Sequence, residues 1–346
     1  MNDWIGERPA HARWLAFHFY YHGQQDFLLE HLLRPLVASL LRQREIDSFF
    51  FVRSLLGGPH IRLRLRLRGT EETIADAVES AAERFFQASP SLEPMPEEEI
   101  QRINRAILKR DPAETDDSIY PDNSVWSAPF HPEVERYGGP ELLAESLAFF
   151  AVSSCQTLQF HHQQHHHHQE GDPAARLLPF ALYLLSCQAL GFVGTTDDFL
   201  ALVAYPVRSW ETTPPSLVER GDQVFASQKA TLLETLRRTV EELTAGRLPR
   251  WETEAARRLG WAVQHATARR GILGNQLHMT ANRLGLRNAE EVYVARLLWR
   301  TATELAGSEP LLWNRLGRHL RARAAPPPDD RSIEGLLPAI LEQLWL

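Results

Sequence analysis

Cysteine is nearly absent: 2 in 346 residues, Cys155 and Cys187. Both sit in apolar, helical-looking stretches, so buried reduced thiols are expected rather than a disulfide framework. No uncharged apolar run reaches the roughly 18–20 residues that a membrane helix needs. The first ten residues are polar and carry Pro9, without the charged-then-apolar layout of a signal peptide. A cytoplasmic protein is the expectation. An excess of basic charge is also lacking, with 37 Lys and Arg against 44 Asp and Glu. Nucleic acid and anionic membrane surfaces are therefore not expected partners. There is no Walker A loop, no G-x-G-x-x-G after a strand, no G-x-S-x-G elbow, no H-E-x-x-H and no zinc spacing. The familiar nucleotide, hydrolase and metalloprotease chemistries lose their usual signatures with them.

What is present is globular: 44% hydrophobic and 23% charged residues, enough to bury a core. Trp14 to Tyr21 is aromatic and apolar, which suits a buried strand closed by Gly23. Asp26 is placed to cap a helix whose apolar residues Leu29, Leu32, Leu33, Leu36, Val37 and Leu40 keep helical spacing, with Pro35 expected to kink it. Phe49 to Arg53 reads as a strand, and Gly57-Gly58-Pro59 as a turn. His60 to Arg68 alternates with period two: Ile61, Leu63, Leu65 and Leu67 on one face, Arg62, Arg64, Arg66 and Arg68 on the other. Thr70 opens a helix to about Gln87.

The stretch 89–129 is Pro-rich and acidic, and reads as an insertion or long loop with a helical island at Ile100 to Leu108. Beyond Gly138-Gly139 the pattern is helical: 141–160, 174–192, 197–205, 216–245, 252–272, 275–284, 289–306 and 333–345. A linker at 325–332 contains Pro326-Pro327-Pro328. The whole predicts an α+β fold in one domain over 1–346, with an N-terminal sheet layer and a mostly helical C-terminal half.

Four features bear on chemistry. Four arginines on one strand face repel one another, so they read either as a grip for carboxylates or as a charged edge that resists aggregation. Glu133 and Arg136, one turn apart in FHPEVERYGGP, pair if that segment is helical. His278 and Asn282 share a helix face with Arg283 beside them, and histidine suits proton transfer near neutral pH. Tyr293, in the next helix, is a second donor or a core aromatic. Asn288 and Glu291 fit a capping box for that helix. The histidine run His161 to His168 lacks ligand spacing and reads as a polar loop rather than a metal site.

In order, FFFVR with GGPHIRLRLR, then PEVERYGG, then LHMTANRLG resembles the C-terminal elimination domain of nisin-type lantibiotic dehydratases, from Trp14 to near Leu298. That domain also occurs as stand-alone thiopeptide-type bacteriocin biosynthesis proteins. The resemblance implies substrate binding by Arg62, Arg64 and Arg136, with Glu133 and His278 acting on the substrate. It further implies a precursor peptide with its leader as partner, other enzymes of the same pathway, and no cofactor or metal.

Family members expel glutamate from glutamyl esters of Ser or Thr. A stand-alone relative, the thiopeptide pyridine synthase, joins two dehydroalanines in a formal [4+2] cycloaddition and releases water and leader. Val152-Ser153-Ser154 stands where elimination domains commonly carry an Asp-Ser pair, and Asn275-Gln276 where they tend to have Ser-Leu. These departures, the 89–129 stretch and the extra C-terminal helix point to a repurposed pocket. The leading expectation is the cycloaddition, with His278 as base and acid, Tyr293 as second donor and Asn282 near the substrate. Glutamate elimination and a non-catalytic leader-binding adaptor are the alternatives.

Overall fold

The computed structural model describes residues 13–111, 114–166, 173–206, 215–248, 250–324, 333 and 335–337. The fold is α+β, as the alternation of patterns predicts. Contacts divide the chain into two compact units. One is formed by residues 1–132, 153–168 and 343–346, the other by 133–152 and 169–342.

The first unit is built on an antiparallel sheet of four strands in the order β2-β3-β1-β4. These are β1 (Trp14–Tyr20), β2 (Ile46–Ser54), β3 (His60–Leu67) and β4 (Ser124–Ala128). The register sets Phe17 opposite Leu63 and His18 opposite Arg62 on β1 and β3, and Phe51 opposite Leu63 on β2. Period-two alternation therefore collects Phe17, Phe19, Phe49, Phe51, Ile61, Leu63 and Leu65 on one face, each 0–1% exposed. Leucines of the helical stretch 25–42 and Ile74, Val78 and Ala82 of α3 (Glu71–Ala88) complete this core. Truncating Leu63 to alanine there would cost about 2–5 kcal/mol.

Pro35 is accommodated without breaking its helix. Residues Gln25–Leu28 form α1, Leu29–Leu33 a π-helical turn and Arg34–Arg42 α2, with the proline in the first turn of α2. A proline lacks an N–H and crowds the carbonyl four residues earlier; the wider π-turn relieves both. Asp26 does not cap this helix. It lies inside the first turn and pairs with Arg53 at 2.6 Å. Thr70 caps α3 as expected, its hydroxyl accepting from Thr73 N. The turn between β2 and β3 needs its glycines: Gly57 and Gly58 have φ of +80° and +119°, and a Cβ on Gly58 would lie 2.7 Å from His22 Nε2.

The acidic 89–129 stretch holds more than a helical island. It contributes α4 (Glu97–Arg110) and the edge strand β4, which pairs with β1. Asn104 ties it to the β2–β3 turn, accepting from Gly57 N at 2.8 Å and donating to the Asp117 carbonyl at 3.0 Å. At the opposite edge, Ser154 Oγ accepts from Phe51 N. Ser154 belongs to α5 (Pro140–His166), which supplies residues to both units.

The histidine run differs from expectation. Residues 161–166 continue α5 rather than forming a loop; His167 and His168 lie outside the described residues. His161 is buried, with Nε2 3.2 Å from Arg53 Nη2, and His162 Nδ1 lies 2.8 Å from the buried Glu30. The helix end is thus held by polar contacts from β2 and the π-turn. Among the described residues, no group of three or more His, Cys, Asp or Glu is placed to hold a metal ion.

The second unit is helical. It comprises a 3₁₀ turn (Glu135–Tyr137), the start of α5, α6 (Pro173–Phe192), α7 (Thr196–Val203), α8 (Pro215–Thr244), α9 (Arg250–Ala262), α10 (Arg269–Leu284), α11 (Asn288–Ser308) and α12 (Pro310–Arg323). The expected helix 252–272 is in fact two, α9 ending at Ala262 and α10 beginning at Arg269. Helix α12 is not anticipated by the sequence pattern above. α6 and α9 approach closely because Gly260 lies on the Phe192 carbonyl, where a Cβ would meet the oxygen at 2.1 Å. The 325–332 linker lies outside the described residues. Of the last expected helix, 333 and 335–337 are helical and the rest lies outside them too. Both cysteines are buried and neither forms a disulfide. No helix among the described residues is long and apolar enough to cross a membrane.

Candidate functional site

Two clusters carry the residues singled out by the sequence, one in each unit. In the first unit they lie on the polar face of the sheet. The four arginines of the alternating strand do not share one fate. Arg66 pairs with Asp47, and Arg62 Nη1 donates to Glu114 Oε1 at 2.5 Å. Arg68 is past the strand end and exposed. Arg64 is the buried one, at 8% exposure. It donates to the Leu63 carbonyl at 3.2 Å, contacts His18 Nε2 at 3.3 Å and stands over the Phe130 ring at 5.5 Å. Among the described residues no carboxylate pairs with it. Burial, then the Arg62 charge, lowers its pKa to about 9, with Glu114 opposing.

Beside the arginines run rings that the sequence reading passed over. His18 and His60 stack at 5.0 Å between centroids, Tyr20 lies 4.4 Å from His60, and Tyr120 stacks on Tyr20 at 4.6 Å. Burial, then Arg64 and Arg62, depresses His18 to about 3. His60, with no exposed surface, is held well below the ordinary histidine value by burial and then by Arg62. Their signal in the sequence was faint: single histidines inside strands, brought together only by the β1–β3 register.

In the second unit His278 lies within the last two turns of α10. That helix ends at Gly285 in the left-handed region (φ +90°), and α11 begins at Asn288. The chain reverses so that Glu291, in the first turn of α11, returns to His278: Nδ1 and Oε2 are 2.6 Å apart. Glu291 is 4% exposed, and the His278 side chain 36%. Glu291 is therefore not the capping residue that its position suggested. Glu290 has that role, accepting from Arg287 N at 2.8 Å. A carboxylate on Nδ1 fixes the ring so that Nδ1 carries the proton and Nε2 is basic in the neutral form. Such a pair takes a proton at Nε2 and stabilises the imidazolium that results.

Around it, Asn282 is half-buried one turn beyond His278. Arg283 is fully buried, its guanidinium 4.5 Å above the Phe150 ring. Burial lowers Arg283 to about 9, against the opposing influence of the neighbouring buried Tyr137. Glu133 and Arg136 meet at 2.7 Å beside the 3₁₀ turn, but as a surface pair, 38% and 45% exposed. Tyr293 is two residues beyond Glu291, hence on another side of α11. Its ring lies toward Gly221 of α8. His278 and Glu291 meet, with Asn282 one turn further along α10; Tyr293 lies on another side of α11.

Comparison with known proteins bears on the family and the fold. The family described as lantibiotic biosynthesis dehydratase C-term matches residues 14–302. No curated protein matches. Among solved structures, the pyridine synthase TbtD from thiomuracin biosynthesis superposes with a TM-score of 0.67 at 18% identity, covering 85% of this chain and 99% of TbtD. The tRNA-dependent lantibiotic dehydratase MibB from Microbispora sp. 107891 gives 0.56 at 19% identity, over 88% of this chain but only 29% of MibB. TsrL gives 0.56 at 15% identity, over 91% of this chain and 99% of TsrL. With more than half of its length matched, the chain belongs to the lantibiotic biosynthesis dehydratase C-terminal family.

Proposed function

We propose that this protein is a tailoring enzyme for ribosomally made peptides, and that its reaction is a formal [4+2] cycloaddition. Two dehydroalanines of a leader-bearing precursor would join into a pyridine-centred macrocycle, with loss of water and of the leader peptide. The observation that carries this reading is the His278–Glu291 pair on a fold that spans 99% of the pyridine synthase TbtD. The MibB match covers a minor part of that larger chain.

The reaction needs an amide turned to its iminol, two distant residues held in contact, and protons delivered to departing water and amide. Contact between the ends is proximity catalysis, supplied by binding. Proton transfers fall to His278, held by Glu291, with Asn282 one turn away to orient the peptide. Arg62, Arg64 and Arg136 would hold peptide carbonyls or acidic leader residues, and Glu133 steadies Arg136. Tyr293 would serve a substrate group on the α8 side of its helix rather than the one His278 serves. None of these roles calls for a cofactor. The precursor peptide is the partner, met among other enzymes of the same pathway.

One observation favours a second reading. Arg64 is a buried cation with no carboxylate among the described residues, which suits a glutamate leaving group. The enzyme would then eliminate glutamate from glutamylated Ser or Thr. Mass spectrometry separates the cases. Incubation with a dehydrated precursor should yield macrocycle and free leader. Free glutamate from a glutamylated precursor, with the leader retained, would establish elimination instead. Conversion of neither would leave a leader-binding adaptor and overturn both enzymatic readings.

A further inference from the structure

The polar face of the sheet carries two histidines that the reaction above does not use, His60 on β3 and His18 on β1. His60 Nδ1 lies 2.8 Å from the Gly58 carbonyl oxygen, which can only accept a hydrogen bond. The ring proton is therefore on Nδ1, and Nε2 is left as the acceptor for Arg62 Nε at 3.1 Å. A guanidinium has donors only, so His18 Nε2 must likewise accept from Arg64 Nη2 at 3.3 Å. Each of two adjacent guanidiniums is thus tied to a neutral imidazole. The rings are themselves fixed, stacked on one another with Tyr20 against His60. Burial and the two arginines keep both rings uncharged at neutral pH.

The choice of acceptor matters. A carboxylate both orients a guanidinium and neutralises it, as Asp47 does for Arg66. An imidazole orients without neutralising. It fixes the direction of the planar donor fork and leaves the positive charge of Arg64 for a ligand, whereas Arg62 is also paired with Glu114. We propose that His60 and His18 are positioning residues: neutral acceptors that hold Arg62 and Arg64 in fixed orientation at the peptide site, with no carboxylate among the described residues paired to Arg64. The kinetic part of this proposal rests on the reading that these arginines hold the peptide. The structural part does not.

The test begins with the unsubstituted full chain. Nitrogen-15 NMR of the histidine rings should show both His60 and His18 neutral at pH 7, with His60 protonated at Nδ1 and not at Nε2. A proton on His60 Nε2, or a charged ring at either position, overturns the proposal whatever the variants do. The second measurement follows hydrogen exchange of the Arg62 Nε–H in the full chain, in His60→Leu and in His60→Gln. Glutamine offers an amide oxygen near the place of Nε2, whereas leucine fills the space without an acceptor.

The expected result is slow exchange in the parent, at least about 10-fold faster exchange in His60→Leu, and recovery in His60→Gln. With a dehydrated precursor as substrate, KM should rise about 10-fold in His60→Leu, with kcat changed less than about 3-fold and KM restored in His60→Gln. Equal behaviour of the two variants would mean that ring shape matters and not the acceptor, which refutes positioning. If His60→Leu does not fold, the ring tautomer and the His60→Gln exchange rate still decide. A chain that turns over no peptide but shows the expected tautomer and exchange refutes the proposed function and not the role of His60.

Discussion

Replacing Glu291 with glutamine tests whether this buried carboxylate works through His278. The two groups are 2.6 Å apart, and Glu291 is 4% exposed, so water screens the contact little. Glutamine keeps the volume and an oxygen able to accept from Nδ1, but removes the charge that stabilises an imidazolium. A hydrogen bond to a charged group contributes about 1.5–3 kcal/mol, and a neutral one about 0.5–1.5. The difference, about 1–2 kcal/mol, appears only when the ring has taken a proton. At 1.36 kcal/mol per decade, kcat should fall roughly 5- to 30-fold, with peptide binding nearly unchanged. The assay is single-turnover mass spectrometry of a dehydrated precursor, following macrocycle and leader together. In the His278→Ala background the same substitution should have little further effect, because the two residues act as one unit. Turnover of Glu291→Gln within twofold of the parent would refute the pairing as a catalytic device, and so would full additivity with His278→Ala.

Other outcomes follow from the same structure. His278→Ala should lower turnover roughly 100- to 10,000-fold while leaving peptide affinity nearly intact, as checked by kinetics and calorimetry; unchanged product formation removes its role. Arg64→Met should weaken peptide binding yet leave thermal stability unchanged or raised, because the guanidinium is buried without a carboxylate among the described residues and methionine carries no desolvation cost. A drop in Tm of several degrees would show that Arg64 holds the fold instead. Three histidines, His60 and His161 buried and His18 half-buried, titrate below the ordinary value of about 6.5 in the fold, His18 at about 3, His161 at about 4, and His60 well below 6.5. Unfolded, they take up protons first. Their share of stability is full above pH 6.5 and is lost as pH falls through the folded values, about 1–2 kcal/mol for His18 and for His161 by pH 5. Urea unfolding midpoints equal at pH 7 and pH 5 would contradict this. Dialysis against a chelator should leave turnover unchanged; loss restored by zinc would assign the histidine run a metal after all.

Much of the first unit is legible before folding. Strict alternation in HIRLRLRLR is a local property, and a strand has only two faces, so the leucine face and the arginine face follow from the sequence alone. Thr70 as a cap, and the boundaries of the aromatic strand, are local in the same sense. His278 stands out by its chemistry and by the company of Asn282 and Arg283 within one helical turn. The ordered set of three motifs also reaches the family, because each motif is a short contiguous segment.

What the fold alone decides is long-range. The repulsion among the arginines is relieved by Asp47 and Glu114, 19 and 52 residues away from their partners, and no window of sequence brings these together. His18 and His60 become a stacked pair only through the β1–β3 register. β4 forms because β1 offers an open edge to a five-residue stretch inside an acidic, proline-rich segment. Glu291 looks like a helix cap because capping is a local pattern, whereas its pairing with His278 depends on how α10 turns back into α11. Helix α12, by contrast, carries a local signal in Pro310 at its start and apolar residues at Leu312, Leu316 and Leu320. The sequence by itself determined the periodicities, the caps and the chemistry available at each position, since these depend on neighbours within about one turn. Which of those groups meet is a property of tertiary contacts between distant segments, and there the burial of Arg64, the pairing of His278 and the neutrality of His18 and His60 were decided.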